Sequence, residues 1–306
     1  MISIDTVLVG DPNNPNDPTT GFGSVDHPYE IGKYEVTVGQ YTEFLNAVAN
    51  VTDLHGLYNA NMAADLNIAG ITKTAVSGGF SYSVIGATTN RPITYVSWFD
   101  AARFVNWVQN GATIGAGTET GAYTLNGATS GIINKNIDAT WWLPSEDEWY
   151  KAAYYDAQTT NYSQYPTASN AVPGNTVGGA PNQANYYFDD KFSVTQQSDY
   201  DETINYLSDV GSFSASLSHY GTFDQGGNVA EWNDTVEFGM RGQRGGDWGA
   251  IDSALAASSG QYPFDPGDED AYGGFRIATI PEPSSVLLLT MAGGAALLWW
   301  RAKGRA

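Results

Sequence analysis

Apolar side chains along this chain fall into three helix-like blocks, separated by long stretches of turn-forming residues. After Thr37 they recur at Tyr41, Phe44, Leu45 and Val48, one face of a 3.6-residue period, and Gln40 stands three residues beyond Thr37 to close a capping box. A second helix is predicted from Ser97, with Trp98, Ala101, Val105 and Val108 as its buried stripe. The third follows Trp141-Trp142-Leu143-Pro144, where Ser145 and Glu148 make a Ser-x-x-Glu start signal. Tyr29–Val36 and Arg91–Val96 predict short strands. Residues 11–28 are turn-formers and predict an irregular N-terminal segment, 1–28. Residues 110–140 read as a long excursion with a hairpin around Tyr123-Thr124-Leu125-Asn126-Gly127, and 156–222 as ordered loop. No internal repeat is present, so residues 29–280 read as one domain.

The last 26 residues differ in kind. Pro281-Glu282-Pro283 precedes an apolar run from Val286 to Trp300, which ends at Arg301, Lys303 and Arg305. With Ser284 and Ser285 the run is at the short edge of what spans a hydrocarbon core of about 30 Å. The cations that follow favour a cytoplasmic end. A buried C-terminal helix is the competing reading, and it has to accommodate Trp299-Trp300 followed at once by three cations. The expectation is a membrane helix over residues 284–300. The ordered parts of this tail, 281–306, resemble the PEP-CTERM sorting signal of Gram-negative bacteria. That resemblance implies export, recognition by an exosortase and removal of the tail near Pro281-Glu282-Pro283. Met1–Gly10 shows no basic segment followed by a long apolar one, so no signal peptide is visible, and a start assigned too far downstream is expected.

Composition narrows the function. Of 306 residues 42% are hydrophobic and 13% aromatic, enough for a sizeable core. Acidic residues outnumber basic ones 33 to 13, for a net charge of −20. Nucleic acid is therefore not an expected partner, since its binding needs a basic footprint. There is no cysteine, which removes disulfides, thiolate metal sites and cysteine nucleophiles together.

Six blocks carry a family resemblance over residues 29–278. They are Ile31-Gly32-Lys33-Tyr34-Glu35-Val36-Thr37 with Gln40-Tyr41; Arg91-Pro92-Ile93 through Ser97-Trp98-Phe99-Asp100-Ala101-Ala102; Trp142-Leu143-Pro144-Ser145-Glu146-Asp147-Glu148-Trp149; Gly227-Asn228-Val229-Ala230-Glu231-Trp232; Arg244-Gly245-Gly246-Asp247-Trp248; and Gly274-Phe275-Arg276. In this order they resemble the formylglycine-generating enzyme (sulfatase-modifying factor) domain. The resemblance implies an irregular α+β fold related to C-type lectins. It also implies two copper-binding cysteines just after the Arg-Gly-Gly block. Those positions fall at Ala250 and near Leu255, neither of which can ligate copper, so no catalytic residue and no copper are expected.

Other chemistry was weighed against plainer roles. A related branch holds iron on three histidines, but His27, His55 and His219 are scattered over polar stretches and read as surface or loop residues. Glu146, Asp147 and Glu148 could serve acid–base hydrolysis; in the first turn of a helix they read more simply as dipole compensation and capping. No nucleophile elbow occurs, and Gly115-Ala116-Gly117 lacks dinucleotide-binding spacing. Trp98, Trp142, Trp149 and Trp232 could stack on sugars, and core packing is the favoured reading.

By resemblance, a structural calcium ion is expected on the side chains of Asp224 and Glu231 and the carbonyls of Gly227 and Val229, with a second site beginning at Asn185. Two carboxylates across a Gly-Gly turn suit a cation that takes six to eight oxygens. A turn in which Asn228 and Glu231 bond the backbone is the alternative. The sequence as a whole points to an exported binding protein of a Gram-negative cell envelope or extracellular matrix, with a glycan or surface protein as partner. A cysteine-independent modifying enzyme and a structural component of an exopolysaccharide matrix are the alternatives. The site around Ala250 discriminates: convergent polar groups indicate an enzyme, a shallow aromatic surface a binding module.

Overall fold

Helix starts in this chain are marked by local side-chain caps. The computed structural model describes residues 2–259 and 262–281. In chain order it has β1 (Thr6–Val9), β2 (Tyr29–Gly32), α1 (Val38–Val48), the single turn α2 (Asn61–Ala64), β3 (Ile71–Val76), β4 (Gly79–Val84) and α3 (Trp98–Gln109). Then come β5 (Trp141–Trp142), α4 (Glu146–Tyr154), β6 (Tyr155–Asp156), β7 (Asn161–Tyr162), β8 (Ala230–Glu237), β9 (Met240–Arg244), the turn α5 (Asp252–Leu255), β10 (Tyr262–Phe264), β11 (Gly273–Phe275) and β12 (Ala278–Thr279). Thr37, Ser97 and Ser145 each accept the backbone N–H three residues on, while Gln40, Asp100 and Glu148 reach back to the cap's own N–H. All three capping boxes are complete. Two of them match the sequence reading residue for residue; at Ser97 the reciprocal group is Asp100.

Two four-stranded sheets frame the core. One has the order β1-β2-β12-β5 and the other β10-β9-β8-β11, in which β11 and β8 run parallel. Helices α1 and α3 pack against each other and against the second sheet through aromatic rings: Phe44 meets Phe104 and Trp107 at 5.4 Å each, and Phe104 meets Phe275 at 5.4 Å. Trp98, Ala101 and Val105 are buried as the stripe predicts, while Val108 is half-buried. Each fully buried ring of this kind contributes about 1.5–3 kcal/mol.

The structure differs from the sequence reading at several points. Thr6–Val9 is not irregular: it pairs antiparallel with β2, Val9 opposite Tyr29, and closes the first sheet on one side. Arg91–Val96 is not a strand. Pro92 makes only an isolated bridge to Thr37, and Tyr95 takes φ 56°, a left-handed conformation that interrupts extended pairing. A hairpin unremarked in the sequence, β3–β4, turns at Ser77-Gly78 and packs on α1. Around Tyr123 there is a single bridge to Lys135 rather than a local hairpin. Among the described residues no helix is long and apolar enough to cross a membrane, and the expected membrane segment, 284–300, lies outside the described residues.

Between β7 and β8 almost no regular structure forms, and side chains take over the backbone's hydrogen bonds. Asn175 Nδ2 donates to the carbonyls of Tyr186, Phe188 and Lys191, and Asn67 Nδ2 to those of Asp201 and Ile204. These amides replace a sheet ladder, so the loops are ordered without strands. Removing a cap should be felt separately from all this: Ser145→Ala should lower stability by about 1 kcal/mol in urea denaturation, with the slope of the transition unchanged.

Candidate functional site

The block Gly227–Trp232 of the sequence becomes a buried loop that runs into β8. Gly227 has φ 80°, and a Cβ there would overlap the Asn185 carbonyl, so only glycine lets the two segments approach. Asn228 is the junction. Its N–H donates to the Asn185 carbonyl at 2.7 Å, its Oδ1 accepts from Asn185 Nδ2 at 2.9 Å, and its Nδ2 donates to Glu35 Oε1 at 3.1 Å. Its carbonyl accepts the Trp248 N–H at 3.1 Å. The loop is thereby tied to the Arg244–Trp248 block.

Glu231 and Arg276 are both fully buried and face each other. Arg276 Nε donates to Glu231 Oε2 at 2.5 Å and its Nη2 to Oε1 at 2.6 Å, a bidentate pair; Trp149 Nε1 also donates to Oε2, at 2.8 Å. The same guanidinium donates to the carbonyls of Gly32 and Phe223, both at 2.9 Å. Two more carboxylates lie in this field. Burial pushes Asp224 up to about 6, although the Gly211 amide and Arg276 hold it down. Burial and the nearby Asp224 push Glu35 well above the carboxylate range, and Glu35 Oε2 has no hydrogen-bond partner among the described residues.

This arrangement was tested against the calcium ion that the sequence block implies. The residues do not fit it. The positive charge in front of Glu231 is already a guanidinium, and a divalent cation at the usual 2.3–2.6 Å from that carboxylate would meet Arg276. Asp224 Oδ2 accepts the Gly211 N–H at 2.6 Å, and the Asn185 amide donates to the Tyr206 carbonyl and to Asn228. Gly227 and Val229 lie on the same loop, Val229 buried against Trp248 and Tyr206. Among the described residues no group of three or more histidine, aspartate or glutamate side chains is arranged to hold a metal ion.

The two positions at which the family would carry copper-binding cysteines come close together. A Cβ on Gly246 would lie 3.2 Å from both Ala250 Cβ and Leu255 Cδ1. Leu255 is fully buried among Tyr165, Ala184 and Tyr186, whereas Ala250 borders a shallow depression of about 370 Å³. Its lining is Phe192, Tyr200, Asp247, Trp248, Gly249, Ala250 and Tyr272. Trp248 is the floor: it is 4% exposed, stacks on Tyr206 at 4.9 Å and 10°, and meets Tyr272 at 5.4 Å. Tyr200 and Tyr272 form the rim, 53% and 44% exposed. Burial pushes Asp247 up to about 6 against the pull of the Gly249 amide, and Asp270 adds to the rise. The sequence analysis singled out the surroundings of Ala250, but no period or spacing brings Phe192, Tyr200, Trp248 and Tyr272 together, because they come from separate loops.

The remaining sequence candidates have local partners. His27 lies against Asp26 and Glu148, His55 against Glu119, and His219 against Ser163 and Asp156. Glu146 pairs with Arg244 and Asn233; Asp147 accepts the Gly23 N–H at 2.8 Å; Glu148 completes the cap of α4 and accepts from Trp142 Nε1. Trp98, Trp142, Trp149 and Trp232 are all buried in the core.

A mixed α/β fold of sparse regular structure, with an aromatic-lined depression that has no thiol, is a variation on a known theme. Residues 9–280 match the sulfatase-modifying factor enzyme 1-like domain, and the chain belongs to that family. Solved structures agree. The crystal structure of CarF is 20% identical over 92% of this chain and 99% of that one, with a TM-score of 0.57. Treponema denticola variable protein 1 is 18% identical over 90% and 95%, with a TM-score of 0.53. At these identities the likeness is one of fold. No curated protein matches the chain.

Two outcomes follow from the buried charges. Glu231→Gln should cost about 3–5 kcal/mol, because it leaves Arg276 buried without its counter-charge. Chelator or added calcium should leave the melting temperature of the parent unchanged, as differential scanning fluorimetry would register. The pH response has a definite sign. Asp224 and Asp247 titrate near 6 in the folded protein against an ordinary value of 3.8, and Glu35 is shifted the same way. Between these values the folded state holds protons that the unfolded chain has lost, so stability should rise as pH falls from about 8 to about 5. Glu35→Gln should flatten that profile, most visibly above pH 6.

Proposed function

We propose that this chain is a binding protein of the cell surface or extracellular matrix, built on the sulfatase-modifying factor fold without its copper chemistry. The observation that carries this reading is the setting of Ala250. Where the family would place a redox cysteine there is a methyl group at the edge of a shallow aromatic depression, and Leu255 is packed into the core. A cysteine-free chain has no thiolate to take Cu(I) or to exchange with a substrate thiol. Tyrosine and tryptophan rings at a rim give large rigid contact area for little entropy, which suits recognition. Trp248 Nε1, buried without a partner among the described residues, is a further donor beside them.

Export and attachment belong to the same reading. Residues 281–306 would be recognised by an exosortase, with residues 284–300 holding the chain in the membrane until processing. Mass spectrometry of protein from a host with the matching exosortase and a supplied signal peptide should find a C-terminus near Pro281; an intact Ala306 would indicate a permanent anchor instead.

The absence of thiol chemistry is tested directly. Copper-loaded protein should leave the cysteine of a sulfatase-type peptide unconverted, and turnover above a protein-free control would overturn the reading. Binding is tested on an array of surface glycans and envelope proteins. Tyr200→Leu and Tyr272→Leu, both at exposed positions, should abolish retained signal while melting as the parent does.

A further inference from the structure

Building on the reading of the Ala250 depression as a binding site, we propose that its ligand is an organic cation, an ammonium group carried on a small apolar body. The depression combines ring faces with carboxylates. Asp247 lines it directly. Asp270 stands beside it, accepting the N–H of Tyr272 at 2.8 Å and of Gly273 at 2.7 Å through Oδ1. Tyr95, whose N–H donates to the Asp270 carbonyl, holds Asp65 through its hydroxyl at 2.9 Å. The fields of Asp247, Asp270 and Asp65 all reach Tyr272. A cation over the faces of tryptophan and tyrosine is attracted by the ring quadrupole, and a nearby carboxylate adds to that attraction.

Among the described residues, the protein's own cations lie outside this lining. Arg91 is paired with Asp209, Arg103 with Glu119, Arg241 with Asp234, Arg244 with Glu146 and Arg276 with Glu231. Lys73 is paired with Asp53, Lys33 lies over Tyr34 and Phe223, Lys135 over Trp142, and Lys151 donates to the Asp11 carbonyl. Lys191, the residue before Phe192, is not part of the lining. Among the described residues none of Asp65, Asp247 and Asp270 is in an ion pair. The site therefore presents aromatic faces and net negative charge, on a chain whose net charge of −20 draws cations toward it. A neutral sugar would use the rings and leave that charge without a counterpart.

The experiment compares choline with its neutral isostere 3,3-dimethyl-1-butanol, by calorimetry and ligand-observed NMR on the full chain in detergent. Choline should bind roughly tenfold or more tightly than the isostere, and added salt should weaken it. Asp247→Asn and Tyr272→Leu should each reduce choline affinity by about tenfold. Tyr200→Leu, at the more exposed rim position, serves where the Tyr272 variant melts early. Equal or tighter binding of the isostere overturns the cation proposal, as does choline binding that Asp247→Asn leaves unchanged. Retention of neutral glycans without choline binding overturns it too, while the binding reading survives. If neither choline nor any array ligand is held, both fall.

Discussion

A single buried guanidinium organises this fold. Arg276 follows β11 directly and precedes β12 by one residue, so it stands where the chain passes from one four-stranded sheet to the other. It grips Glu231 on β8 in the second sheet and the Gly32 carbonyl at the end of β2 in the first. A charge taken out of water is tolerated only with such complete coordination, which leaves little freedom in the relative placement of the two sheets. Two further carboxylates, Glu35 and Asp224, lie in the same field, and burial raises both above their ordinary values.

The aromatic depression is held from below by this same unit. Val229 and Asn228, on the loop that leads into Glu231, support Trp248 by packing and by a backbone hydrogen bond. It thus stands on the loop that ends in the buried Glu231–Arg276 pair, while its rim tyrosines reach solvent. A rigid floor with an exposed rim is a favourable arrangement for recognition, because little side-chain order remains to be established when a ligand arrives. Loss of thiol chemistry at Ala250 and Leu255 leaves that floor intact, since neither position contributes to the charge cluster.

Helices were legible in the sequence because their determinants are local: Thr37 with Gln40 and Ser145 with Glu148 announce a start, and the apolar stripes give the face. Strands were less so. Thr6–Val9 is a four-residue edge element without a clear alternation, and Arg91–Val96 has strand composition but a left-handed Tyr95. The turn at Ser77-Gly78, flanked by Thr, Val, Phe and Tyr, was a signal for the hairpin β3–β4. Both Glu231 and Arg276 fall in family-like blocks, yet no spacing tells that two residues 45 positions apart in the chain neutralise each other. The family-like block with Asp224 and Glu231 across a Gly-Gly turn pointed to a calcium loop; only the fold reveals that a guanidinium already faces Glu231. The aromatic depression was least legible, since its residues come from irregular loops with no period to read.

The position of β12 has a mechanical consequence. Ala278–Thr279 lies between β2 and β5, inside its sheet, only two residues before Pro281. Tension applied to the chain at that end enters the domain through an interior strand instead of peeling an edge. It must strip two ladders at once, and the next residues it reaches are Ile277 and the clamped Arg276. A domain tethered by this end would bear traction on an interior strand, with the clamped Arg276 standing between the pulled end and the rim residue Tyr272.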